Sequence, residues 1–132
     1  MSSSRRVLIV DDNKEIVAAA SVRLRAAGFE PLTAFDGNEG VASAVRNHPD
    51  AIVLDVRMPI KDGLTALAEL KSNRATRDIP IVMLSASIVD QQAALEAGAR
   101  YFLKKPYDGN HLIQALSTVM SSRSQSVAAS VV

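Results

Sequence analysis

The chain has no cysteine and no tryptophan, and its aromatics, two Tyr and three Phe, make up only 4% of 132 residues. Without thiols there is no disulfide framework, no thiolate metal site and no cysteine nucleophile. With so few rings the interior must be filled by Val, Ile, Leu, Ala and Met, which suits helices packed closely on a sheet. An excess of charge of one sign is missing too. Fifteen Lys and Arg stand against fourteen Asp and Glu, for a formal net charge of +1. The N-terminal basic cluster, Arg5-Arg6, is only two residues long. A nucleic-acid-binding surface would need a larger basic footprint, so no nucleic-acid partner is expected. Long hydrophobic runs are also absent. The polar start, Met1 to Arg6, is followed by four apolar residues, too short for a signal-peptide core or a membrane span. The expectation is a cytoplasmic protein with no membrane partner.

What is present is a hydrophobic share of 48% in a chain long enough for one ordinary domain, which at this size buries roughly two thirds of its unfolded surface. Short apolar runs alternate with longer segments of helical period, the order expected of a parallel sheet with helices on both faces. Val7-Leu8-Ile9-Val10, Ala51-Ile52-Val53-Leu54 and Ile81-Val82-Met83-Leu84 are continuously apolar, as strands covered on both faces are. Residues 31–35 and 101–103 read as weaker strands, the former an edge strand because of Pro31. Helices are expected over 14–27, stopped by Gly28, and over a segment capped by Asp36 and reaching Arg46. Three more are expected over 64–72, over 89–97 with Gly98 as the stop, and over 108–121. The Ser-rich stretch from Arg123 has no period, and is expected to fray or to extend the last helix irregularly.

In an open sheet of this kind ligands bind beyond the carboxyl ends of the strands. The apolar runs end in Asp11-Asp12, in Asp55, in Ser85 and in Lys104-Lys105-Pro106. Taken singly, each has an ordinary reading: an Asp after a strand is often a helix cap, a Ser a turn residue, a Lys a solvated charge. Together, three carboxylates at neighbouring strand ends repel one another unless a cation or a basic group sits among them. Such a site suits Mg²⁺, which takes a few carboxylates, retained waters and phosphate oxygens.

Four strings in this order and spacing, VLIVDDN from Val7, IVLDVRMPIKDGL from Ile52, PIVMLSAS from Pro80 and GARYFLKKPY from Gly98, resemble the receiver domains of two-component response regulators. The resemblance runs from about Arg6 to Val119. It implies a flavodoxin-like (βα)5 fold with strand order 2-1-3-4-5; residues 6–122 are expected to make it, with 1–5 a disordered N-terminus and 123–132 a flexible tail. It implies Asp55 as the phosphoryl acceptor, with Mg²⁺ held by Asp11, Asp12, Asp55 and the backbone carbonyl of Arg57. Lys105, directly before Pro106, takes the family's lysine position and bonds a phosphoryl oxygen. Ser85 and Phe102 are the implied switch pair, and Arg57 and Ser87 stand where the family tunes the lifetime of the acyl phosphate.

The resemblance also implies partners. These are a sensor histidine kinase or phosphotransfer protein as donor, and an effector on the face of the fourth helix, fifth strand and fifth helix. Dimerisation on phosphorylation is a further mode of association. With no second domain legible in these residues, a stand-alone, chemotaxis-regulator-like receiver is expected, a signalling domain whose only chemistry is its own phosphorylation and dephosphorylation. The stretch from Ser85 to Lys105 is short for the family, so a trimmed fourth helix or a tightened loop is expected. His48 and His111 read as surface residues. Two rivals remain. A phosphohydrolase with an aspartyl nucleophile, of the haloacid dehalogenase kind, would need a second Asp where Arg57 stands, and a flavin-binding module would need a Gly- or Ser-rich phosphate loop where Asp11-Asp12 stand.

Overall fold

The computed structural model describes residues 5–131, with side chains through residue 121. Five βα units follow one another: β1 (Arg6–Val10), α1 (Lys14–Ala26), β2 (Glu30–Ala34), α2 (Gly37–Asn47), β3 (Ala51–Asp55), α3 (Gly63–Ser72), β4 (Ile81–Ser85), α4 (Asp90–Glu96), β5 (Tyr101–Lys104) and α5 (Gly109–Val131). The strands form one parallel sheet in the order β2-β1-β3-β4-β5, the order expected. Pro31 does lie in the edge strand, where its missing N–H costs no ladder bond on the open side.

Because β1 is apolar from Val7 to Val10, β3 from Ala51 to Leu54 and β4 from Ile81 to Leu84, the sheet feeds a core on each face. Leu8, Val10, Ile52, Leu54, Ile81 and Met83 pack with α2, α3 and α4 through residues such as Ala44, Leu67, Leu70 and Ala94. Val7, Ile9, Val53, Val82 and Leu84 point the other way, onto Val17 and Leu24 of α1 and Leu112, Leu116 and Val119 of α5. Each of these large side chains, removed from water, contributes roughly 1.5–3 kcal/mol.

Local signals set the helix ends, at Asp36, Gly28 and Gly98 as expected and at Asn13 and Asp62 besides. Asn13 caps α1, accepting from the N–H groups of Glu15 and Ile16, and Asp36 and Asp62 cap α2 and α3 in the same way. Gly28 and Gly98 close their helices at positive φ, 92° and 111°, where a Cβ would be strained. His48 is the exposed C-cap of α2, and His111 is also exposed. The fourth helix is indeed short, seven residues instead of the nine of 89–97. Residues 1–4, expected as part of a loose N-terminus, lie outside the described residues, while the carbonyl of Arg5 accepts from the N–H of Glu30. Of the expected tail, 123–131 continue α5 in backbone, and residue 132 and the side chains from 122 onward lie outside the described residues.

Candidate functional site

Sheet order reverses between β1, whose partner on one side is β2, and β3 on its other side, and the residues that follow these strands meet in that crevice. Each is pinned by a backbone bond to a neighbouring strand. Asp11 donates its N–H to the Ala34 carbonyl, Val56, next to Asp55, to Leu84, and Lys105 to Ser85. The rim is therefore an extension of the ladder, and its side chains are placed by the same register that pairs Asp55 with Leu84 and Ser85 with Lys104.

Asp11, Asp12 and Asp55 bring carboxylate oxygens within 4.8 Å of one another. Asp11 and Asp55 are buried and Asp12 is exposed. Lys105 reaches between the buried pair, its Nζ 3.2 Å from Asp11 Oδ2 and 3.1 Å from Asp55 Oδ1. The other oxygen of Asp11 accepts from the N–H of Asn13, so the residue that caps α1 also orients the acid beside it. Burial pushes the Asp55 carboxyl up to about 6, and the charge of Asp11 adds to this. The Lys105 ammonium and the Arg57 backbone N–H pull in the opposite direction without prevailing. For Lys105 burial acts to lower the ammonium, but attraction to Asp55 and then Asp11 outweighs it and the net shift is upward. Burial also raises the half-buried Tyr107 beyond Lys105.

One ammonium against three carboxylates leaves the crevice short of positive charge. The donor set is all oxygen and partly open at Asp12, which fits a hard divalent cation of the Mg²⁺ type.

Ser85 is brought to the rim but not to Asp55. Its hydroxyl donates to Asp90 Oδ2 at 2.6 Å and its oxygen accepts from the Ser87 N–H at 3.0 Å. Asp90 is buried in the first turn of α4 and also receives the Arg57 guanidinium in a two-pronged pair, Nε at 3.2 Å and Nη2 at 3.1 Å. Arg57 is thus turned toward α4, and the Asp-x-Asp arrangement of a phosphohydrolase is not built. Ser87 closes the turn into α4, accepting on its hydroxyl from the Val89 N–H. Phe102 is half-buried and packs on the core beside α3 and α4, opposite Met83 in register, whereas Tyr101 is 41% exposed.

Two features escaped the strand-end reading. Asp90 looks like an ordinary acidic residue in a helix's first turn, and the one sequence sign of its role is the shortened stretch that starts α4 five residues after Ser85. Gly63 invites the reading of a turn glycine, but its φ is not in the left-handed region. A Cβ there would lie 2.1 Å from the Asp55 carbonyl oxygen, so what requires glycine is the approach of α3 to the acceptor strand.

Comparison with known proteins agrees with this fold. The profile of the response regulator receiver domain matches residues 7–117. The transcriptional regulatory protein PrrA of Mycobacterium tuberculosis is 40% identical over 97% of the chain, which spans about half, 55%, of PrrA's length. Protein PilG of Pseudomonas aeruginosa is 31% identical over 92% of the chain and 91% of PilG. Among solved structures, the receiver domain of the sensor histidine kinase PA1611 of Pseudomonas aeruginosa, with a magnesium ion coordinated in its active site cleft, superposes with a TM-score of 0.84 at 31% identity, over 91% of this chain and all of that one.

Proposed function

The chain belongs to the response regulator receiver domain family of two-component signalling, and we propose that within it Asp55 is the phosphoryl acceptor of a Mg²⁺-dependent switch. The observation that carries this reading is Lys105 bridging Asp11 and Asp55 inside a cluster of three carboxylates at the carboxyl end of the sheet. The phosphoryl donor is a histidine kinase or phosphotransfer protein. An Asp55 oxygen attacks the phosphorus, the bond from phosphorus to the donor nitrogen breaks, and an acyl phosphate forms on Asp55.

Such transfer needs positioning and charge neutralisation more than covalent help. Asp11, Asp12, Asp55 and the Arg57 carbonyl would hold Mg²⁺, and the ion would supply positive charge to offset the transferring oxygens. Lys105 exchanges its bond to Asp55 for one to a phosphoryl oxygen while keeping Asp11. Burial of Asp55 keeps bulk water from the acyl phosphate, and Arg57 and Ser87 tune how fast it is lost. The phosphoryl group brings about two negative charges and new acceptor oxygens. Ser85 turns to them, Phe102 repacks, and the face of α4, β5 and α5 passes the change to an effector.

Acetyl phosphate with Mg²⁺ tests the acceptor, since its bond from phosphorus to the acetyl oxygen breaks in the same way. The expected outcome is one label per chain, labile to hydroxylamine as an acyl phosphate is, with none on Asp55→Asn and a strongly reduced rate on Lys105→Ala. Stoichiometric labelling of Asp55→Asn would place the acceptor elsewhere.

A further inference from the structure

We infer that Asp90 is a positioning residue that holds both donors flanking the acceptor, the Ser85 hydroxyl and the Arg57 guanidinium, in the unphosphorylated arrangement, so that phosphorylation acts by taking them away from it. The inference rests on Asp55 being the phosphoryl acceptor and adds the group against which the phosphate competes.

A hydroxyl has one hydrogen to give. Ser85 gives it to Asp90 Oδ2 at 2.6 Å, while its oxygen already accepts from Ser87. It cannot at the same time donate to a phosphoryl oxygen on Asp55, so the two bonds exclude each other and define two states. Arg57 is held in the same way, since both prongs of its fork are taken by the two oxygens of Asp90. The side chain of Arg57 is 69% exposed and that of Asp90 only 10%. The arginine is free to swing and the aspartate is not.

That asymmetry says which element moves. Once Ser85 and Arg57 turn to the phosphate, Asp90 keeps a buried carboxylate without these donors, which is costly unless water reaches it. It belongs to the first turn of a seven-residue helix, a small unit to displace. An open pocket of about 460 Å³, lined by Val56, Arg57, Met58, Pro59, Leu64 and Asp90 among others, lies against it and gives room for that shift. Rehydration of Asp90 is thus the step that converts a charge at Asp55 into a displacement of α4. Removing one charge-assisted bond of this kind shifts a two-state balance on the order of tenfold.

The test is a titration of the full chain with beryllofluoride and Mg²⁺, a mimic of the acyl phosphate, followed by amide NMR. In Asp90→Asn the resonances of Ser85 and residues 87–96 of the unliganded protein should lie part of the way along the line from free to beryllofluoride-bound wild type. The titration midpoint should fall on the order of tenfold, and Asp90→Glu should recover part of the wild-type midpoint. A wild type that responds while Asp90→Asn keeps the free-state resonances and the wild-type midpoint overturns the role of Asp90 alone. A wild type that does not respond overturns the acceptor reading, and the role of Asp90 with it. Should Asp90→Asn not fold, the wild type itself decides: the Asp90 carboxyl carbon and the Arg57 Nε resonance must both move on adding beryllofluoride, and constancy of both overturns the inference.

Discussion

Asp55 carries two demands that conflict: burial protects an acyl phosphate, and burial penalises the charged carboxylate that must attack. A carboxyl raised from 3.8 to about 6 corresponds to roughly 3 kcal/mol in favour of its protonated form. In the fold it keeps its proton up to about pH 6, whereas in the unfolded chain the proton is lost near pH 4, so folding takes up a proton in that window. The stability this contributes is complete below about pH 4 and is lost as pH rises through about 6. Near neutral pH in chelator, Asp55→Asn should therefore be more stable than wild type, by about 1–3 kcal/mol in urea denaturation, with the gap closing below about pH 4. Millimolar Mg²⁺ should stabilise the wild type more than the variant, because only the wild type offers the complete carboxylate set. A variant less stable than wild type at neutral pH, with no differential Mg²⁺ effect, would show that the crevice is not short of positive charge.

Among the elements, β1, β3 and β4 were legible because parallel strands covered on both faces leave continuous apolar runs, here only four residues long and bounded by polar residues or proline, too short for a buried helix. The rim residues followed from them, since a strand's end fixes where its next side chain lies. Less legible were elements set by tertiary packing. The fourth helix begins one residue later and ends one earlier than its apolar period suggests, and β5 extends to Lys104 because its ladder with β4 runs on to Ser85. The hydrogen-bonded group of Ser85, Asp90 and Arg57 joins positions as far as 33 apart, and no local pattern announces it. Gly63 lies between these cases: its presence was visible and its reason was not. With a Cβ 2.1 Å from the Asp55 carbonyl oxygen and 2.8 Å from Val56 Cα, Gly63→Ala must push α3 away from β3. The neighbours are backbone and cannot give way as a flexible side chain would. A loss of about 2–4 kcal/mol in denaturant unfolding is expected, together with slower labelling of Asp55. An alanine variant of near wild-type stability would mean that α3 has slack at its first turn.

Across the whole molecule, the two cores divide the labour. One packs α1 and α5 against the sheet, and the other packs α2, α3 and α4, with Phe102 at its border beside Met83 and Asp90 in the first turn of α4. Ser85 and Phe102 therefore bear on the same side of the molecule, and interiors packed to high density pass a displaced ring on to their neighbours instead of absorbing it. Gln92, Glu96, Tyr101 and Lys104 are all exposed on the α4 and β5 surface, and Ile88, Val89 and Leu95 add apolar area that the described residues leave open to solvent. A mixed surface with one aromatic anchor has the composition interfaces favour. Comparing the free protein with its beryllofluoride and Mg²⁺ complex by amide hydrogen exchange, we expect the largest changes over residues 87–104 and in the first turns of α5, with α1 and α2 little altered beyond the rim. Tyr101→Ala should leave that exchange pattern and the labelling of Asp55 unchanged while weakening whatever association phosphorylation induces, effector binding or self-association alike, by about tenfold. Changes confined to the loops around Asp12, Arg57 and Lys105, with residues 87–104 silent, would mean that the signal leaves the site by another surface.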